Sequence, residues 1–400
     1  MVVPNHATRA GRYIRQPQGY IAFIPAPLPP EPPIEVNGGM LALLSRADQA
    51  LGRLDGVAQT LPNPDLFVAM YVRREAVLSS QIEGTQSTLD DVLEFELDSR
   101  GRSIPSDVNE VVNYVKAMNH GLARLSTLPL SLRLIREIHG ELLQGTRGGD
   151  RPTGEFRASQ NWIGEGHVPL DAATFVPPPP GEMLAALDNL EKFMYADMDL
   201  PVLLRCGLVH GQFETIHPFI DGNGRVGRLL ITFLLCHRSV LHRPLLYLSY
   251  FLKRHRGEYY DRLQSIRESG DWEGWLTFFL RGVAETAEAA TDTAKAIIRL
   301  RDQHRAQLQE AGITLTGLRL LDLLFEQPIL NVRLAKDRLR VSFPTADALI
   351  DRLRDMGLLE ETTGWQRNRR YRYTPYLTLF EEERGAEVVV GPVQTTVLTS

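Results

Sequence analysis

The sequence predicts a mainly α-helical protein with a small β-hairpin and a C-terminal α+β domain of the winged-helix type. Apolar residues recur at helical spacing over most of the chain between residues 40 and 298. A stretch rich in Gly and Pro, with short alternating pieces, interrupts the helices at 154–180 and predicts a loop with a hairpin. Helical patterns followed by a basic two-strand pattern at 313–380 predict the winged-helix domain.

The length and composition limit the class of protein. With 400 residues the chain is long enough for two or three domains. Its net charge of -5 excludes a global basic field that attracts nucleic acid. No apolar run is long enough to cross a membrane, and the N-terminus lacks the apolar core of a signal peptide. Cys206 and Cys236 lie in apolar stretches, which predicts two core thiols and no disulfide. We therefore expect a cytoplasmic protein without a membrane partner.

The N-terminal part begins with a Pro-rich linker at 25–33, which predicts an extended segment. Helical sequence starts at Met40, and the sequence "LPNP" at 61–64 separates it from a second helix. Gly84 predicts the end of that second helix. Its apolar residues fall at multiples of the helical repeat, at Phe67, Tyr71, Leu78 and Ile82.

The remaining elements follow the same signals. Two helices are predicted between 105 and 145, and helices resume from 181 to 298 after the hairpin. A hinge at 311–317 leads to the last unit. The predicted domains are an N-terminal helical region at 1–110, a central helical domain at 111–298, a winged-helix-like domain at 313–380 and a tail at 381–400.

The most informative segment is "HPFIDGNGRVGR" at 217–228, and part of it matches the dinucleotide-binding pattern G-x-G-x-x-G. That pattern has to follow a buried strand. The apolar residues upstream are instead spaced by three and four, which is helical. A Walker loop is excluded because no Lys followed by Ser or Thr comes after the glycines. The helical residues are Val202, Cys206, Val209, Phe213 and Ile216.

A purely structural turn, with Asp221 capping the following helix, explains the glycines but not the arginines. Arg225 and Arg228 lie in the first turn of that helix, where cations oppose the helix dipole by about 0.3–1 kcal/mol each. An anion site explains both. Gly222 and Gly224 allow close approach to the backbone, and the helix N-terminus adds partial positive charge. The two arginines, three residues apart, can reach the same ligand.

Two further residues suggest the chemistry of this anion site. Asp221 would repel a phosphate unless a hard cation such as Mg²⁺ lies between them. His217, at the exit of the upstream helix, has an unperturbed pKa that suits a general base near neutral pH. A lone His is more often structural, but a His beside a phosphate site and a metal carboxylate is more often catalytic.

The segment 217–228 resembles the signature of Fic proteins, H-x-F-x-D/E-G-N-G-R-x-x-R, at every fixed position. Similar sequence extends on both sides, with "HGQFETIHPF" before the motif and residues 257–280 after it. Residues 23–30 and 74–85 resemble the N-terminal region of a bacterial Fic class. The resemblance covers roughly residues 15 to 285. It implies a Fic-type helical core over 111–298 with a β-hairpin flap, and transfer of AMP from ATP to a protein hydroxyl.

The resemblance also implies roles for individual residues. His217 would be the general base, Asp221 would hold Mg²⁺ at the α- and β-phosphates, and Phe219 would anchor the loop in the core. The groups implied to hold the phosphates are the amides of Gly222 and Gly224, together with Asn223, Arg225, Gly227 and Arg228.

The sequence "SSQIEG" at 79–84 matches the inhibitory pattern S/T-x-x-x-E-G/N of Fic proteins. Glu83 is predicted at a helix end, where the dipole disfavours a carboxylate and an arginine partner would offset that cost. In the family the partner is the second arginine of the motif, here Arg228. Glu83, with Ser79, is therefore expected to keep the γ-phosphate from its productive position. The alternative is a solvated glutamate at a helix end.

Two other regions have implied contacts with substrate. In Fic proteins a flap holds the target segment by strand addition, and residues 161–178 are in the corresponding place. Trp162, Ile163 and Phe175 belong either to this flap or to a small core. Tyr259 and Tyr260 lie where the family packs the adenosine, and the sequence does not decide which of them faces the core.

The last unit resembles winged-helix domains in its final helix and basic hairpin. The predicted wing could contact DNA phosphates, or the domain could serve dimerisation or protein recognition. The basic residues of the wing are Arg367, Arg369, Arg370 and Arg372.

The function predicted from the sequence is a protein adenylyltransferase that modifies a Ser, Thr or Tyr hydroxyl and is autoinhibited by Glu83. The alternatives are removal of AMP by the same fold, and a DNA-binding regulator that senses nucleotide. ATP is the expected substrate and Mg²⁺ the expected metal. The expected partners are a protein target, the protein itself through self-AMPylation, a second copy in a homodimer, and DNA at the C-terminal unit.

Overall fold

The structure is a computed structural model that describes residues 8–60, 64–97, 105–146, 153–164, 169–365, 367–381 and 395–397. Most of these residues are helical, which confirms the predicted mainly α class. The helices are α1 Gly38–Thr60, α2 Pro64–Ile82, α3 Leu89–Leu97, α4 Ser106–Arg124, α5 Leu132–Leu142, α6 Pro180–Tyr195, α7 Val202–Ile216, α8 Asn223–His237, α9 Ser249–Arg254, α10 Arg256–Ser269, α11 Trp272–Glu310, α12 Leu315–Glu326, α13 Val332–Leu339, α14 Phe343–Asp355 and α15 Thr374–Glu381.

Short antiparallel sheets accompany the helices. A hairpin near the N-terminus, a two-stranded pair formed with the C-terminal tail, and a three-stranded sheet in the C-terminal unit are described. The strands are β1 Gly11–Arg15, β2 Ile21–Pro25, β3 Asn161–Ile163, β4 Ile329–Asn331, β5 Glu360–Glu361, β6 Arg370–Arg372 and β7 Thr395–Val397. The pairs are β1 with β2, β3 with β7, and β4-β6-β5 in that order.

Helix α7 lies at the centre of the core, since every residue from Leu203 to Ile216 is buried. A helix that is buried all round needs close neighbours, and two glycines provide the space for them. A Cβ at Gly207 would meet the side chains of Leu276 and Phe279, and a Cβ at Gly211 would meet Trp272. Helix α11 therefore packs closely along α7 and fixes the helix that ends at the Gly-rich motif.

The N-terminal helices pack on this core, and the sequence predicted most of them. Helix α1 packs along α11, and α2 packs against α4, α9 and α12. Helix α2 ends at Ile82 and Gly84 follows in a left-handed conformation with φ 107°, as expected of a helix stop. The sequence reasoning missed the β1–β2 hairpin and helix α3.

The C-terminal unit contains helices and a three-stranded antiparallel sheet, so the α+β prediction is confirmed. It follows α11, which continues twelve residues past the predicted limit at 298, to Glu310. The unit also packs on α2 and α3 through α12 and β4. The hinge prediction at 311–317 matches the short connection between α11 and α12.

The flap and tail differ from the expected hairpin. Strand β3 is three residues long, and Ile163 makes an isolated bridge to Phe175 in place of a full second strand. Residues 165–168 of the expected hairpin lie outside the described residues. The tail, which the sequence left unassigned, pairs its strand β7 antiparallel with β3. Residues 382–394 and 398–400 are outside the described part.

Two smaller predictions can be compared with the structure. Cys206 is buried, Cys236 is partly buried, and both are free thiols, as predicted. Among the described helices, none combines the length and apolar character needed to cross a membrane.

Candidate active site

The Gly-rich motif forms the connection between α7 and α8, as the helical patterns on both sides predict. Helix α7 ends at His217, whose backbone is left-handed with φ 50° and ψ 60°. Helix α8 begins at Asn223, with Gly222 as its N-cap in a left-handed conformation. Gly222 has no side chain to cap the helix, and Asp221 does not act as the N-cap either. The amides of the first turn of α8 therefore lack a capping side chain.

The His217 ring is enclosed by protein. Burial lowers the pKa of His217 to about 3, and the positive charges of Arg157 and Arg267 lower it further, while the Glu214 carbonyl and Asp221 oppose them. Neither ring nitrogen meets hydrogen-bond geometry with a partner in the described part of the chain. The ring is therefore neutral at physiological pH and has a nitrogen that can accept a proton, but with this pKa it is a weaker base than the unperturbed imidazole that the sequence suggested.

The loop is closed by Asn223 and anchored by Phe219. The Asn223 side chain accepts from the Phe219 N–H and donates to the Phe219 carbonyl, both at 2.8 Å. Phe219 is fully buried and stacks on the His139 ring at 3.7 Å between ring centroids. The predicted anchor role of Phe219 agrees with this packing. Asn223 uses both polar groups within the loop here, and its assignment to phosphate stays a prediction.

His139 also fixes the backbone next to Asp221. Its Nδ1 accepts from the Gly154 N–H at 2.9 Å, so Nε2 carries the hydrogen and donates to the Asp221 carbonyl at 3.1 Å. Burial lowers the pKa of His139 to about 4, which keeps this ring neutral. His139 therefore fixes the loop by stacking on Phe219 and by its hydrogen bond to the Asp221 carbonyl.

Asp221 lies just before the start of α8, and its role as a metal ligand stays a prediction. Its side chain is 44% exposed, and Oδ1 accepts from the Gly222 N–H at 2.6 Å. Arg225 lies 3.5 Å from the same oxygen and makes a shorter pair, 2.9 Å, with Glu110 of α4. No group of three metal-binding side chains occurs among the described residues. A single, partly exposed carboxylate fits Mg²⁺, which takes most of its ligands from water and substrate phosphates.

The N-terminus of α8 forms an anion site that a carboxylate of the protein fills. A Cβ added to Gly224 would collide with Oε1 of Glu83, so this oxygen lies against the first turn of the helix. Partial positive charge and unpaired amides make such a helix N-terminus favourable for anions. Gly227 similarly accommodates Oε1 of Glu214, since a Cβ there would collide with it. The two glycines are therefore required by close approach of carboxylates.

Glu83, Ser79 and Arg228 meet, as the inhibitory pattern implied. The Arg228 Nη2 lies 2.6 Å from Glu83 Oε1 and 3.0 Å from the Ser79 carbonyl, and Nε donates to Ser79 Oγ at 2.7 Å. The Arg228 side chain is 2% exposed, while that of Glu83 is 32% exposed. Burial alone would lower the pKa of Arg228, but the Glu83 charge raises it above its usual value.

The structure shows which of the two tyrosines, Tyr259 or Tyr260, faces the core. Tyr259 is the core residue, and its hydroxyl donates to His210 Nε2 at 2.9 Å. His210 Nδ1 donates in turn to the Gly227 carbonyl at 2.9 Å. Tyr260 is partly buried under the Arg256 guanidinium, 5.6 Å from its ring centroid. Burial, with the nearby Glu83 charge, raises the pKa of Tyr260 to about 12.

The residues for which the sequence left a choice between the flap and a small core are mainly core residues. Trp162 and Phe175 are each 2% exposed, and Ile163 is partly buried against the main core. Trp162 packs with Ala22 of β2. The core interpretation is therefore correct for Trp162 and Phe175, and the backbone of β3 is the part that pairs with another strand.

The predicted wing arginines mostly have acidic partners. Arg370 pairs with Glu94 of α3, Arg372 lies 3.4 Å from Asp90, and Arg369 lies 3.5 Å from Asp347. Two of these partners belong to α3, in the N-terminal region. DNA contact through Arg370 and Arg372 would have to displace these carboxylates.

Sequence reasoning missed several side chains that surround the motif. They come from segments far from it in the chain, so no local spacing identified them, and nothing in the sequence marks their burial. The missed residues are Glu110, His139, Arg157, Asn161 and Arg267.

The comparisons with known proteins agree with the motif. Residues 41–123 match the model described as Fic/DOC family N-terminal, and residues 129–235 match the Fic/DOC family model. The chain is 32% identical over 219 residues to protein adenylyltransferase Fic of Drosophila grimshawi, covering 53% of this chain and 40% of that protein. It is 32% identical over 208 residues to the same-named protein of Aedes aegypti, covering 50% and 36%. The chain thus spans less than half the length of these relatives.

A solved structure extends the similarity of fold. The crystal structure of a Fic family protein from Desulfovibrio desulfuricans matches 85% of this chain and 97% of its own, with a TM-score of 0.55 and 20% sequence identity. At that identity the match concerns the fold.

Proposed function

Because residues 41–123 and 129–235 of this chain match Fic/DOC family models, we propose that the protein transfers AMP from ATP to a hydroxyl group of a protein. The observation that carries this proposal is the pairing of two features in one loop. A neutral, buried His217 lies at one end, and the helix N-terminus that accommodates a carboxylate at Gly224 lies at the other. A base and an anion site at the two ends of one short loop suit attack on a bound phosphate.

The proposed ATP site uses the first turn of α8. The phosphates would lie against Gly222 and Gly224, where backbone N–H groups and the helix dipole favour anions. Asp221 would hold Mg²⁺, which when bound neutralises phosphate charge and orients the leaving group. Tyr260, which is nearer to the solvent than Tyr259, is the proposed contact for the adenosine.

The proposed reaction is an in-line substitution at the α-phosphorus. The acceptor hydroxyl gives its proton to a ring nitrogen of His217 while its oxygen forms the new bond to the α-phosphorus. The bond from the α-phosphorus to the bridging oxygen breaks, and diphosphate leaves with the electron pair. The product is an AMP ester of a Ser, Thr or Tyr side chain.

We further propose that Glu83 inhibits this reaction. Its carboxylate lies against Gly224 and pairs with Arg228, so it takes up one anion position and one cation that ATP needs. Like charges exclude each other from a shared site, so the γ-phosphate is kept from Arg228 while Glu83 stays in place.

Labelling with ATP tests the proposed activity. The protein is incubated with α-labelled ATP, Mg²⁺ and cell extract as acceptor, as wild type, as Glu83→Gly and as Glu83→Gly with His217→Ala. We expect label on protein, including the enzyme itself, with Glu83→Gly, and none after His217→Ala, although ATP binding by calorimetry persists. Labelling that survives His217→Ala would remove it as the base. Absence of labelling by every variant, with release of AMP from a modified protein, would favour AMP removal instead.

A further inference from the structure

The left-handed backbone of His217 is supported by two side chains that the motif does not include. A non-Gly residue in this conformation is uncommon, and helix ends usually place Gly there. The His217 carbonyl accepts from Arg157 Nε at 3.0 Å and from Asn161 Nδ2 at 3.3 Å. Asn161 also donates to the Phe219 carbonyl at 2.8 Å. The backbone on both sides of Pro218 is therefore held by the segment that leads into β3.

Arg157 is a buried cation whose hydrogen bonds, in the described part of the chain, end on main-chain carbonyls. Besides His217, its guanidinium donates to the carbonyls of Ser159 and Pro178, and its own N–H donates to Pro218 at 2.9 Å. Its side chain is almost fully enclosed, and burial lowers the pKa of Arg157 to about 10. A buried charge held by carbonyls is costly, and what distinguishes Arg157 is that the carbonyl of His217 is among its acceptors.

We propose that Arg157, assisted by Asn161, is a positioning residue that sets the conformation of His217 and ties it to the strand beside the site. This inference rests on the proposed transfer of AMP. Arg157 joins three backbone segments, at 159, at 178 and at 216–218. A target segment that takes the place of β7 beside β3 would thus be held by the same side chain that holds the base.

The charge of Arg157 has a second effect on the base. The charged and polar groups that face His217 are Arg157, Arg267 of α10, the Glu214 carbonyl of α7, and Asp221. The two arginines favour the neutral ring. Removing one of them raises the pKa of His217, so the fraction of active base falls at low pH.

Variants of Arg157 in the activated Glu83→Gly protein test the proposal. We expect Arg157→Ala to lower kcat by about 10²-fold with a smaller change in KM for ATP, since a misplacement of about 1 Å costs this much. Arg157→Gln removes the charge and should move the acid limb of the pH–rate profile to higher pH, while Arg157→Lys keeps the limb in place. Thermal melts show which variants fold.

Arg205 supplies the matched control. It lies at the other end of α7, is equally buried, and donates to the carbonyls of Phe193 at 3.0 Å and Ala196 at 2.8 Å. Arg205→Gln should lower thermal stability without moving the acid limb. The proposal is overturned if Arg157→Gln and Arg157→Lys keep the kcat and pH profile of the parent, or if Arg205→Gln moves the limb equally. Failure of the Glu83→Gly parent to transfer AMP would count against the proposed function instead.

A different observation concerns the C-terminal unit, which contacts the inhibitory segment at two points. Tyr71 of α2 packs edge-on against Phe380 of α15, with 5.4 Å between ring centroids. Helix α3, which follows Glu83 in the chain, carries Glu94 and Asp90, the partners of Arg370 and Arg372.

From these contacts we infer that the C-terminal unit restrains α2 and α3 and so keeps Glu83 in the site. The inference depends on inhibition by Glu83. Helix α2 runs without interruption from Tyr71, which contacts Phe380, to Ile82, the residue before Glu83. Loosening α2 at Tyr71, together with α3, would lower the occupancy of the Glu83–Arg228 pair. An acidic partner that competes for the two arginines would have the same effect.

Charge reversal tests this restraint. Arg370→Glu with Arg372→Glu should raise AMP transfer by about 5-fold, the rate equivalent of two partly exposed ion pairs. Arg369→Glu, whose partner Asp347 lies within the C-terminal unit, is the matched control and should leave the rate unchanged. Adding Glu94→Arg to the Arg370→Glu variant should restore inhibition.

The effect must also depend on Glu83. In the Glu83→Gly protein the two charge reversals should add no further activity. If Glu83→Gly is active while the charge reversals leave the otherwise wild-type protein inhibited, the restraint is refuted and inhibition by Glu83 stands. If the reversals raise activity equally with and without Glu83, the C-terminal unit acts on another step and the inference is wrong.

Discussion

Replacing Glu83 by Gly should convert an inhibited protein into an active one. The substitution removes the carboxylate from Gly224 and frees one N–H of Arg228 Nη2, while Ser79 still accepts from Arg228 through its hydroxyl and its carbonyl. The anion position at the start of α8 and the guanidinium then become available to ATP together. We expect turnover to rise by more than ATP affinity, because with Glu83 in place ATP can still bind through its other contacts while its α-phosphate is misplaced for attack.

The size of the effect follows from the geometry of the pair. Arg228 is almost fully enclosed and lies 2.6 Å from Glu83, but about a third of the Glu83 side chain is exposed. Breaking a fully buried pair costs about 3–5 kcal/mol, and an exposed pair contributes about 0.2–1 kcal/mol. An intermediate value of about 2 kcal/mol corresponds to about a 30-fold rise in rate when that energy no longer opposes productive binding.

The assay compares initial rates of label transfer from α-labelled ATP for wild type and four variants. Glu83→Gly removes charge and volume, whereas Glu83→Gln removes the charge and keeps the volume next to Gly224. Glu96→Gln is the matched control, since Glu96 pairs with Arg73 of α2 at 2.9 Å with similar exposure and does not contact Arg228. Arg228→Ala also frees Glu83, but it should be inactive because a phosphate contact is lost.

Equal rates for wild type and Glu83→Gly would refute inhibition by this residue. Activation by Glu96→Gln of the same size would show that any weakening of α2 suffices and that the Glu83–Arg228 contact has no special role. Activity of Arg228→Ala at the level of Glu83→Gly would exclude Arg228 from the binding of ATP phosphates.

Four further predictions concern the remaining groups. Asp221→Ala in the Glu83→Gly protein should lose Mg²⁺-dependent turnover, measured as rate against Mg²⁺ concentration, and retained dependence would exclude its metal role. Gly224→Ala should abolish AMP transfer even without Glu83, because the methyl group fills the anion position. Burial raises the pKa of Glu75 to about 7, above its unfolded value, so the free energy of unfolding falls as pH rises from about 5 to 8. Thermal melts across this pH range should show that Glu75→Gln removes part of this fall. The part removed is at most about 3 kcal/mol. If the C-terminal unit binds DNA, Arg369→Ala should reduce the slope of affinity against salt by about 0.9 in gel shifts, and no shift at low salt would favour protein recognition.

The motif could be predicted from the sequence because its information is local. Glycines, a helix start and two arginines within twelve residues define an anion site without knowledge of the fold. Glu83 required the resemblance, since the two ends of its pair with Arg228 are 145 residues apart. The position of its carboxylate against Gly224 required the structure, because only the packing of α2 on α8 brings them together.

Other features could not be read because they depend on distant partners. Arginine in a Gly-rich segment is usually exposed, and only the fold brings Arg157 to the His217 carbonyl. Arg370 belongs to a pattern typical of a DNA-binding wing, but the docking of the C-terminal unit gives it Glu94 as a partner. Helix α3 and the β1–β2 hairpin were missed because short elements carry few periodic residues.

One face of α2 connects the C-terminal unit to the active site. Tyr71, Glu75 and Ser79 follow one another at four-residue spacing, and Glu83 continues the series just after the helix ends. Tyr71 contacts Phe380, Glu75 accepts from Tyr114 and Ser249, and Ser79 accepts from Arg228. Because these contacts lie along one helix, we expect a shift of α2 at Tyr71 to displace its end at Ile82 as well. If Glu83 inhibits as proposed, a movement of α2 can therefore displace its carboxylate without unfolding the catalytic core.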